Sequence, residues 1–319
     1  MNNKYILGID TSNYKTSVAV IDNDRNIVCD IRRFLKVKHG EKGLRQSDAL
    51  FQHVKNIPEM MEELRENFDG TPEAIAYSSK PRPVEGSYMP VFLAGESFAR
   101  SMGAALCIPV MDFSHQEGHI EAVREYSEMK DEKHFMACHF SGGTTELLEV
   151  KEIKNGYEID IIGGSKDISF GQVIDRAGVA LGFDFPAGEM LDKIALETID
   201  SSDVLTPIKV KDAWLNLSGI DTQVKNHISS NEEFNTNYLV HELFKKTADA
   251  MTKMVLQGAE KSGLEKVIMA GGVSSSRFIR NIVAKKLNAA GIEVCFDDND
   301  VSQDNAVGTA LLGGRKIWR

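Results

Sequence analysis

The feature that most narrows what this chain can fold into is an order of elements that occurs twice. Residues 5–9, 17–21 and 27–33 read as three short strands separated by polar turns such as Asp22-Asn23-Asp24. A helix follows, with Leu50, Val54, Ile57, Met61 and Leu64 on one face, and Pro58 marks either a kink in it or its true start. Strand 74–77, helix 91–105, strand 108–113 and a helix from His115 complete the first half. The second half repeats the pattern: strands 135–140, 145–150 and 157–162, helix 171–181, a long helix 238–262, strand 266–270, helix 277–290, strand 292–296 and a last helix from Asp304. What the second half adds is an insertion near 183–236, rich in Asp, Ser and Asn around Trp214. This is the pattern of a duplicated α/β domain, residues 1–128 and 129–319, with the two copies facing a central cleft.

Glycine and hydroxyl turns fall at matching places in the copies. Gly8 precedes Asp10-Thr11-Ser12 in the first, and Ser141-Gly142-Gly143-Thr144-Thr145 ends the first strand of the second. Such turns expose backbone N–H groups and hydroxyls, which suits phosphate oxygens, though a plain tight hairpin is an equal reading of either turn alone. A third turn, Gly271-Gly272-Val273-Ser274-Ser275-Ser276, ends a buried strand and opens a helix. In doubly wound domains ligands gather at such carboxyl ends, so an adenosine or phosphate site is expected there. Taken alone, Asp175 is a solvated helix residue and Gly188 a turn glycine.

Ser114-His115-Gln116-Glu117-Gly118-His119 carries the metal chemistry. Ser114 and Glu117 have the spacing of a capping box, so a helix starts here. His115 and His119 are four apart, which puts both imidazoles on one face, where they can share a divalent ion. Gln116 stands where a zinc protease keeps its glutamate base. An HxxxH pair is common by chance, and a carboxylate from elsewhere is needed to single it out. Asp304, at the start of the duplicate helix, is the expected third ligand; its plain reading is an N-cap.

A formal net charge of −10 argues against a broad nucleic-acid surface on this chain alone. One candidate basic patch is Lys36, Lys38, Lys42 and Arg45, whose plain reading is a set of solvated surface charges. No apolar run is long enough to span a bilayer. The opening residues enter a strand pattern without a signal peptide's apolar core, so the cytoplasm is the expected compartment. Cys29, Cys107, Cys138 and Cys295 form no CxxC pair and read as small buried hydrophobes in strand-like runs.

Together and in this order, these segments resemble the TsaD/Gcp family of the actin-like, hexokinase-like ATPase superfamily. Its members transfer a threonylcarbamoyl group to the adenosine beside the tRNA anticodon, and it once carried the name O-sialoglycoprotein endopeptidase, peptidase family M22. The resemblance covers almost the whole chain and is most specific at His115–His119, Ser141–Thr145, Gly271-Gly272-Val273 and Asp304-Asn305-Ala306. It implies an iron or zinc ion on His115, His119 and Asp304. It further implies nucleotide or acyl-adenylate contacts at Thr11, Ser12, Ser141, Gly142, Gly143, Thr144, Thr145, Gly271, Gly272 and Ser276, and ribose-side contacts at Asp175 and Gly188. Asp10 and Lys15 occupy the positions of the family's catalytic turn. The bound group is ATP or an acyl-adenylate, with or without Mg²⁺, and tRNA delivery by a partner protein in a hetero-complex, or a homodimer, is the implied working form.

The departures are equally specific. Where the family's first turn reads E-T-S-C-D-E-T, this chain has Asp10-Thr11-Ser12-Asn13-Tyr14-Lys15-Thr16, so Tyr14 and Lys15 replace two acids. Thr144 replaces the histidine of SGGHT, Ser276 stands at an expected asparagine, and Lys80–Tyr88 replaces a Gly-Pro-Gly loop. These changes are those of a divergent paralogue. The leading expectation is metal-dependent threonylcarbamoyl or related carbamoyl transfer, with tRNA adenosine as the default acceptor. A nucleotide-binding regulatory or scaffold protein without transfer chemistry is the alternative, and a metallopeptidase comes last.

Overall fold

The computed structural model describes residues 3–12, 14–37, 44–154, 156–200, 203–230, 234–296 and 306–318. The first half runs β1 (Tyr5–Asp10), β2 (Lys15–Asp22), β3 (Ile27–Phe34), α1 (Gln46–Asn67), β4 (Ala74–Lys80), α2 (Phe92–Leu106), β5 (Val110–Ser114) and α3 (His115–Glu125). Then come β6 (His134–Phe140), β7 (Thr145–Ile153), β8 (Gly156–Ser165), α4 (Phe170–Ala180), α5 (Gly188–Glu197), β9 (Val210–Lys211), β10 (Trp214–Leu215), α6 (Ser218–Ser229) and α7 (Thr236–Ser262). β11 (Lys266–Ala270), α8 (Arg277–Ala289), β12 (Glu293–Phe296) and α9 (Val307–Ile317) close the chain.

The duplication is exact at the level of topology. One sheet has the order β3-β2-β1-β4-β5, and the other the order β12-β11-β6-β7-β8, extended by β10 and β9 from the insertion. In each copy the first three strands are antiparallel neighbours, and the first strand also pairs in parallel with the fourth.

Strand alternation sorts the side chains into layers. On β6, Met136, Cys138 and Phe140 face the large core beneath α4 and α7. Phe135 and Ala137 face the opposite way, into a central core shared with Ile6, Ala74, Ile120, Val123, Val307 and Leu311. That central layer is filled by α3 and α9, which cross at Gly118 and Gly308. α9 packs on β1, β2 and β4 of the first sheet, whereas α3 reaches β6 and β11 of the second as well as β4 and β5. A buried network ties this crossing to the second sheet. Arg315 of α9 reaches Glu121 of α3 at 2.7 Å and also meets Glu152 of β7. Arg124 of α3 bonds Glu152 at 2.6 Å, and the Tyr157 hydroxyl of β8 donates to Glu121.

Three sequence expectations change: the place of Pro58, the buried face of α1 and the burial of the cysteines. α1 runs continuously through Pro58, and its buried stripe is Ala49, His53, Ile57, Met60 and Leu64, one position away from the predicted face at several turns. Val54 is exposed, because the face is set by the sheet it covers. Among its described residues the insertion carries α5, α6 and the small hairpin of β9 and β10. Cys107 is exposed at the left-handed end of α2, and of the four cysteines only Cys138 is buried. The last helix begins, among the described residues, at Val307; Asp304 lies outside them, as do Asn305, Lys38 and Lys42.

Candidate active site

α3 starts where β5 ends, because Ser114 caps it. The Ser114 hydroxyl accepts from the Glu117 N–H at 3.2 Å, and the Glu117 carboxylate accepts from the Ser114 N–H at 2.9 Å. This capping box puts His115 at the first helical position and His119 one turn on. Their Nε2 atoms lie 2.9 Å apart. A tetrahedral ion with metal–nitrogen distances of ~2.0–2.1 Å holds its ligands ~3.3 Å apart, so the pair is spaced for shared coordination. The Asp10 carboxylate, 1% exposed at the end of β1, contacts His115 Nδ1 at 2.8 Å and accepts from the Ser12 N–H at 2.8 Å. A carboxylate on Nδ1 fixes the tautomer that leaves Nε2 free to bind a metal.

A third imidazole, His139 of β6, was not singled out from sequence. One ligand nitrogen from each of His115, His119 and His139 fits within 4.8 Å of the others. The signal was present: a histidine at the odd position of an apolar strand, facing with Phe135 and Ala137, just before the Ser141 turn. What the sequence could not show is that α3 crosses this strand.

Beside the imidazoles opens a cavity of about 600 Å³. Ser12, Tyr14, Arg82, Tyr88, His115 and His139 line it, with Ser141, Gly142, Gly143 and Thr144 at its floor. The floor is a tight hairpin: the Ser141 N–H donates to the Thr144 carbonyl at 2.9 Å, and the Ser141 hydroxyl accepts from the Thr144 N–H at 3.1 Å. Gly142 has open space where a Cβ would stand. A smaller lobe of about 160 Å³ continues past Tyr14 and Phe185 to Gln172, Asp175 and Arg176. There Asp175 accepts from the Ala187 N–H at 3.0 Å and from the Gly188 N–H, so these two residues, distant in sequence, form one corner. Burial pushes the Asp175 carboxyl up, against the pull of those two N–H groups. The Tyr14 phenol is likewise pushed up, by burial and then by the Asp175 charge, so it stays protonated at neutral pH.

Other predicted residues are engaged elsewhere. The Thr11 hydroxyl donates to the Val91 carbonyl at 3.0 Å and accepts from the Gly95 N–H, which fixes α2. Thr145 is buried, and its Oγ1 accepts from the Phe170 N–H at 2.9 Å to start α4. Ser276 caps α8 and donates to Asp192, whose carboxylate also accepts from the Arg277 and Phe278 N–H groups. Asp192 had no sequence signal beyond its charge. Gly271 has φ +92°, and a Cβ there would stand 2.5 Å from the Phe140 carbonyl, so this glycine is required by its backbone. Gly272 is exposed. Lys15 is outside the cavity lining, its Nζ 4.5 Å from the centre of the Phe34 ring.

Arg82 brings charge to the cavity mouth. Its Nη2 bonds Glu146 of β7 at 2.6 Å, and Gln116 donates to the same carboxylate at 2.8 Å. Burial raises the Glu146 carboxyl while Arg82 and Gln116 pull it down. Gln116, at the place of a protease base, therefore joins the two halves.

A family described as TsaD, tRNA N6-adenosine threonylcarbamoyltransferase, matches residues 36–311. The tRNA N6-adenosine threonylcarbamoyltransferase of Mycoplasma mobile is 28% identical over 317 residues, covering 98% of both chains. That of Clostridium perfringens is 28% identical over 327 residues, 98% of this chain and 92% of the other. Among solved structures, full-length HypF in its phosphate- and nucleotide-bound form superposes with a TM-score of 0.64 at 13% identity; 99% of this chain spans 56% of that one. A Streptomyces griseus ROK family glucokinase, in complex with glucose and AMPPNP, gives 0.55 at 12% identity, with 98% and 99% covered. These likenesses establish the two-domain actin-like, hexokinase-like ATPase fold.

Proposed function

The chain belongs to the tRNA N6-adenosine threonylcarbamoyltransferase family, and from that premise we propose that its cleft carries a threonylcarbamoyl group from an acyl-adenylate to the adenosine beside the anticodon of tRNA. The observation that carries this reading is the convergence of the α3 histidines, their Asp10 partner and the Ser141–Thr144 hairpin on one cavity of about 600 Å³. A volume of that size is in the range of pockets that enclose a nucleotide-sized ligand.

The roles follow from placement. The hairpin presents approachable backbone and the Ser141 hydroxyl to the adenylate phosphate. The smaller lobe takes the ribose side, with Asp175 holding the Ala187–Gly188 corner and Tyr14 offering a protonated hydroxyl. His115 and His119, with Asp304 as the further ligand implied by the family pattern, hold one divalent ion. Imidazole and carboxylate donors suit iron and zinc alike. When bound, such an ion supplies Lewis-acid polarisation of a carbonyl or phosphoryl oxygen. Asp10 acts as a positioning residue by fixing His115, and Lys15 acts on the hairpin it packs in rather than on substrate. The amine nitrogen forms the new C–N bond as the anhydride C–O bond breaks, AMP departs and the amine gives up one proton.

The ATPase frame also accommodates ATP with Mg²⁺. With a net charge of −10, tRNA docking is assigned to a different partner protein in a hetero-complex, since a homodimer would only double the negative charge. Residues 1–128 and 129–319 act as the two lobes of the cleft, and the reaction takes place in the cytoplasm; no helix among the described residues is long and apolar enough to cross a membrane. The test is complementation. Expression in a cell depleted of its own enzyme should restore the modified nucleoside in tRNA, and His119→Ala should abolish the rescue. A chain that is expressed, folded and supplied with the same partners, yet restores none, refutes the proposal.

A further inference from the structure

We propose that Arg82 holds the free carboxylate of the acyl group that is transferred, so that the loop between β4 and α2 selects a donor derived from an amino acid over a plain carbamoyl donor. The inference rests on the acyl-adenylate reading of the cleft and names what recognises the acyl end.

Three observations meet at this side chain. First, the charge. Among the described residues that line the cavity of about 600 Å³, Arg82 is the one lysine or arginine. A threonylcarbamoyl-adenylate brings two anions, a phosphate and the carboxylate of its threonine. The Ser141–Thr144 hairpin takes the phosphate, and the carboxylate needs a cation of its own once it leaves water. Second, the position is built. Pro81 and Pro83 fix φ on either side of Arg82. The Pro81 carbonyl accepts from the Gln116 N–H at 3.1 Å, which ties the loop to the first turn of α3, next to His115. The Arg82 N–H donates to the Ser87 hydroxyl at 3.1 Å, and the Ser87 N–H donates to the Val84 carbonyl at 3.2 Å, so the loop closes on itself around Gly86, at φ +77°. Third, the guanidinium is oriented without being used up. Its Nη2 meets one oxygen of Glu146, whose other oxygen accepts from Gln116. The Glu146 side chain is 9% exposed and that of Arg82 40%. A buried carboxylate therefore holds one edge of the fork, and the rest of it stays at the cavity mouth, in the planar spacing that matches a second carboxylate.

Two consequences follow. The acyl end of the donor is fixed by the first half of the chain and the adenylate by the hairpin of the second, so the reacting carbonyl lies between two held ends. A plain carbamoyl group has no carboxylate and gains nothing from Arg82, so this contact separates the two donors. The Gly-Pro-Gly loop that the family pattern keeps in place of Lys80–Tyr88 offers no such cation, which makes the contact particular to this chain.

The experiment measures equilibrium binding to the full chain by calorimetry. The probes are a phosphonate analogue of threonylcarbamoyl-adenylate with CH₂ in place of the anhydride oxygen, the same compound with its carboxylate converted to a carboxamide, and AMP. The parent protein should bind the carboxylate form about 10–100-fold more tightly than the carboxamide form, the range of a hydrogen-bonded charge. In Arg82→Gln that ratio should fall toward unity, and in Arg82→Lys, which keeps the charge without the fork, it should lie between the two. Circular dichroism verifies folding of each variant, and the lysine variant carries the test where the glutamine one does not fold. A residue that only shapes the loop would weaken both analogues alike and leave the ratio intact, and that result overturns the proposal. So does an unchanged ratio accompanied by weaker binding of an anticodon stem-loop RNA, which would assign Arg82 to an RNA phosphate. AMP keeps this failure apart from failure of the adenylate reading. A parent protein that binds AMP and both analogues without preference refutes the Arg82 contact alone, whereas one that binds none of the three refutes the adenylate reading and the contact with it.

Discussion

Replacing Gly308 by alanine puts a methyl group where α3 and α9 touch. An ideal Cβ at 308 would stand 1.8 Å from the Gly118 carbonyl oxygen and 2.6 Å from its carbon. Both obstacles are backbone, so no side chain can rotate away, and the helices must part by roughly 1.6 Å to restore an ordinary contact. Overpacking of a tight core costs 1–3 kcal/mol, and a backbone obstacle places this case near the top, at about 3 kcal/mol. For a protein of this size that lowers Tm by about 4–5 °C. The displacement also carries His115 and His119 away from Asp10 and β6, and a misplacement of about 1 Å is enough to cost ~10²-fold in rate. Thermal unfolding followed by circular dichroism, together with single-turnover acyl transfer, reads both effects. Gly219→Ala is the control, because that glycine lies in α6 with nothing within 4 Å of its Cβ position. Gly308→Ala with an unchanged Tm and rate would refute the crossing as the element that positions the site.

Asp10→Asn should weaken divalent metal binding by about 10–100-fold without unfolding the chain, because the amide can no longer hold His115 in the metal-binding tautomer as the carboxylate does; competition titration checks this. Arg315→Met should destabilise by about 3 kcal/mol in urea unfolding, because it leaves the buried Glu121 with only the Tyr157 hydroxyl and the more distant Arg124, at 3.7 Å. Asp167→Asn tests linkage. Burial raises this carboxyl, but N–H groups of Leu217, Ser218 and Ile168 outweigh it and hold it well below the usual value of 3.8. Its contribution to stability is therefore complete above that value and lost as pH falls below it, so the Tm difference from the parent should be present at pH 7 and shrink below about pH 4.

Much of this was legible locally. The repeated strand-and-helix order predicts the two sheets because each element carries its own period and turn residues, and the Ser114–Glu117 box predicts the start of α3 because both partners lie within one turn. The pairing of His115 with His119 follows from helical spacing alone. What depended on distant packing was not legible. Thr11, Thr145 and Ser276 have the hydroxyls of phosphate turns, yet Val91, Phe170 and Asp192 take them up, and those partners lie 80, 25 and 84 positions away. His139 gains its meaning only when α3 crosses β6, and Asp175 and Gly188 become one corner only when α5 folds back on α4. The predicted face of α1 failed for the same reason: Val54 and Met61 are as apolar as their neighbours, and the sheet decides which stripe is covered.

The central claim is transfer of a threonylcarbamoyl group within this cleft, and the most direct measurement is nucleoside analysis after incubation of the purified chain with threonylcarbamoyl-adenylate, tRNA and its partner proteins. Digestion and mass spectrometry should show threonylcarbamoyl-adenosine accumulating with the parent protein and absent with His119→Ala. Unmodified tRNA from the parent protein, in a reaction where a family relative modifies the same tRNA, would contradict the account.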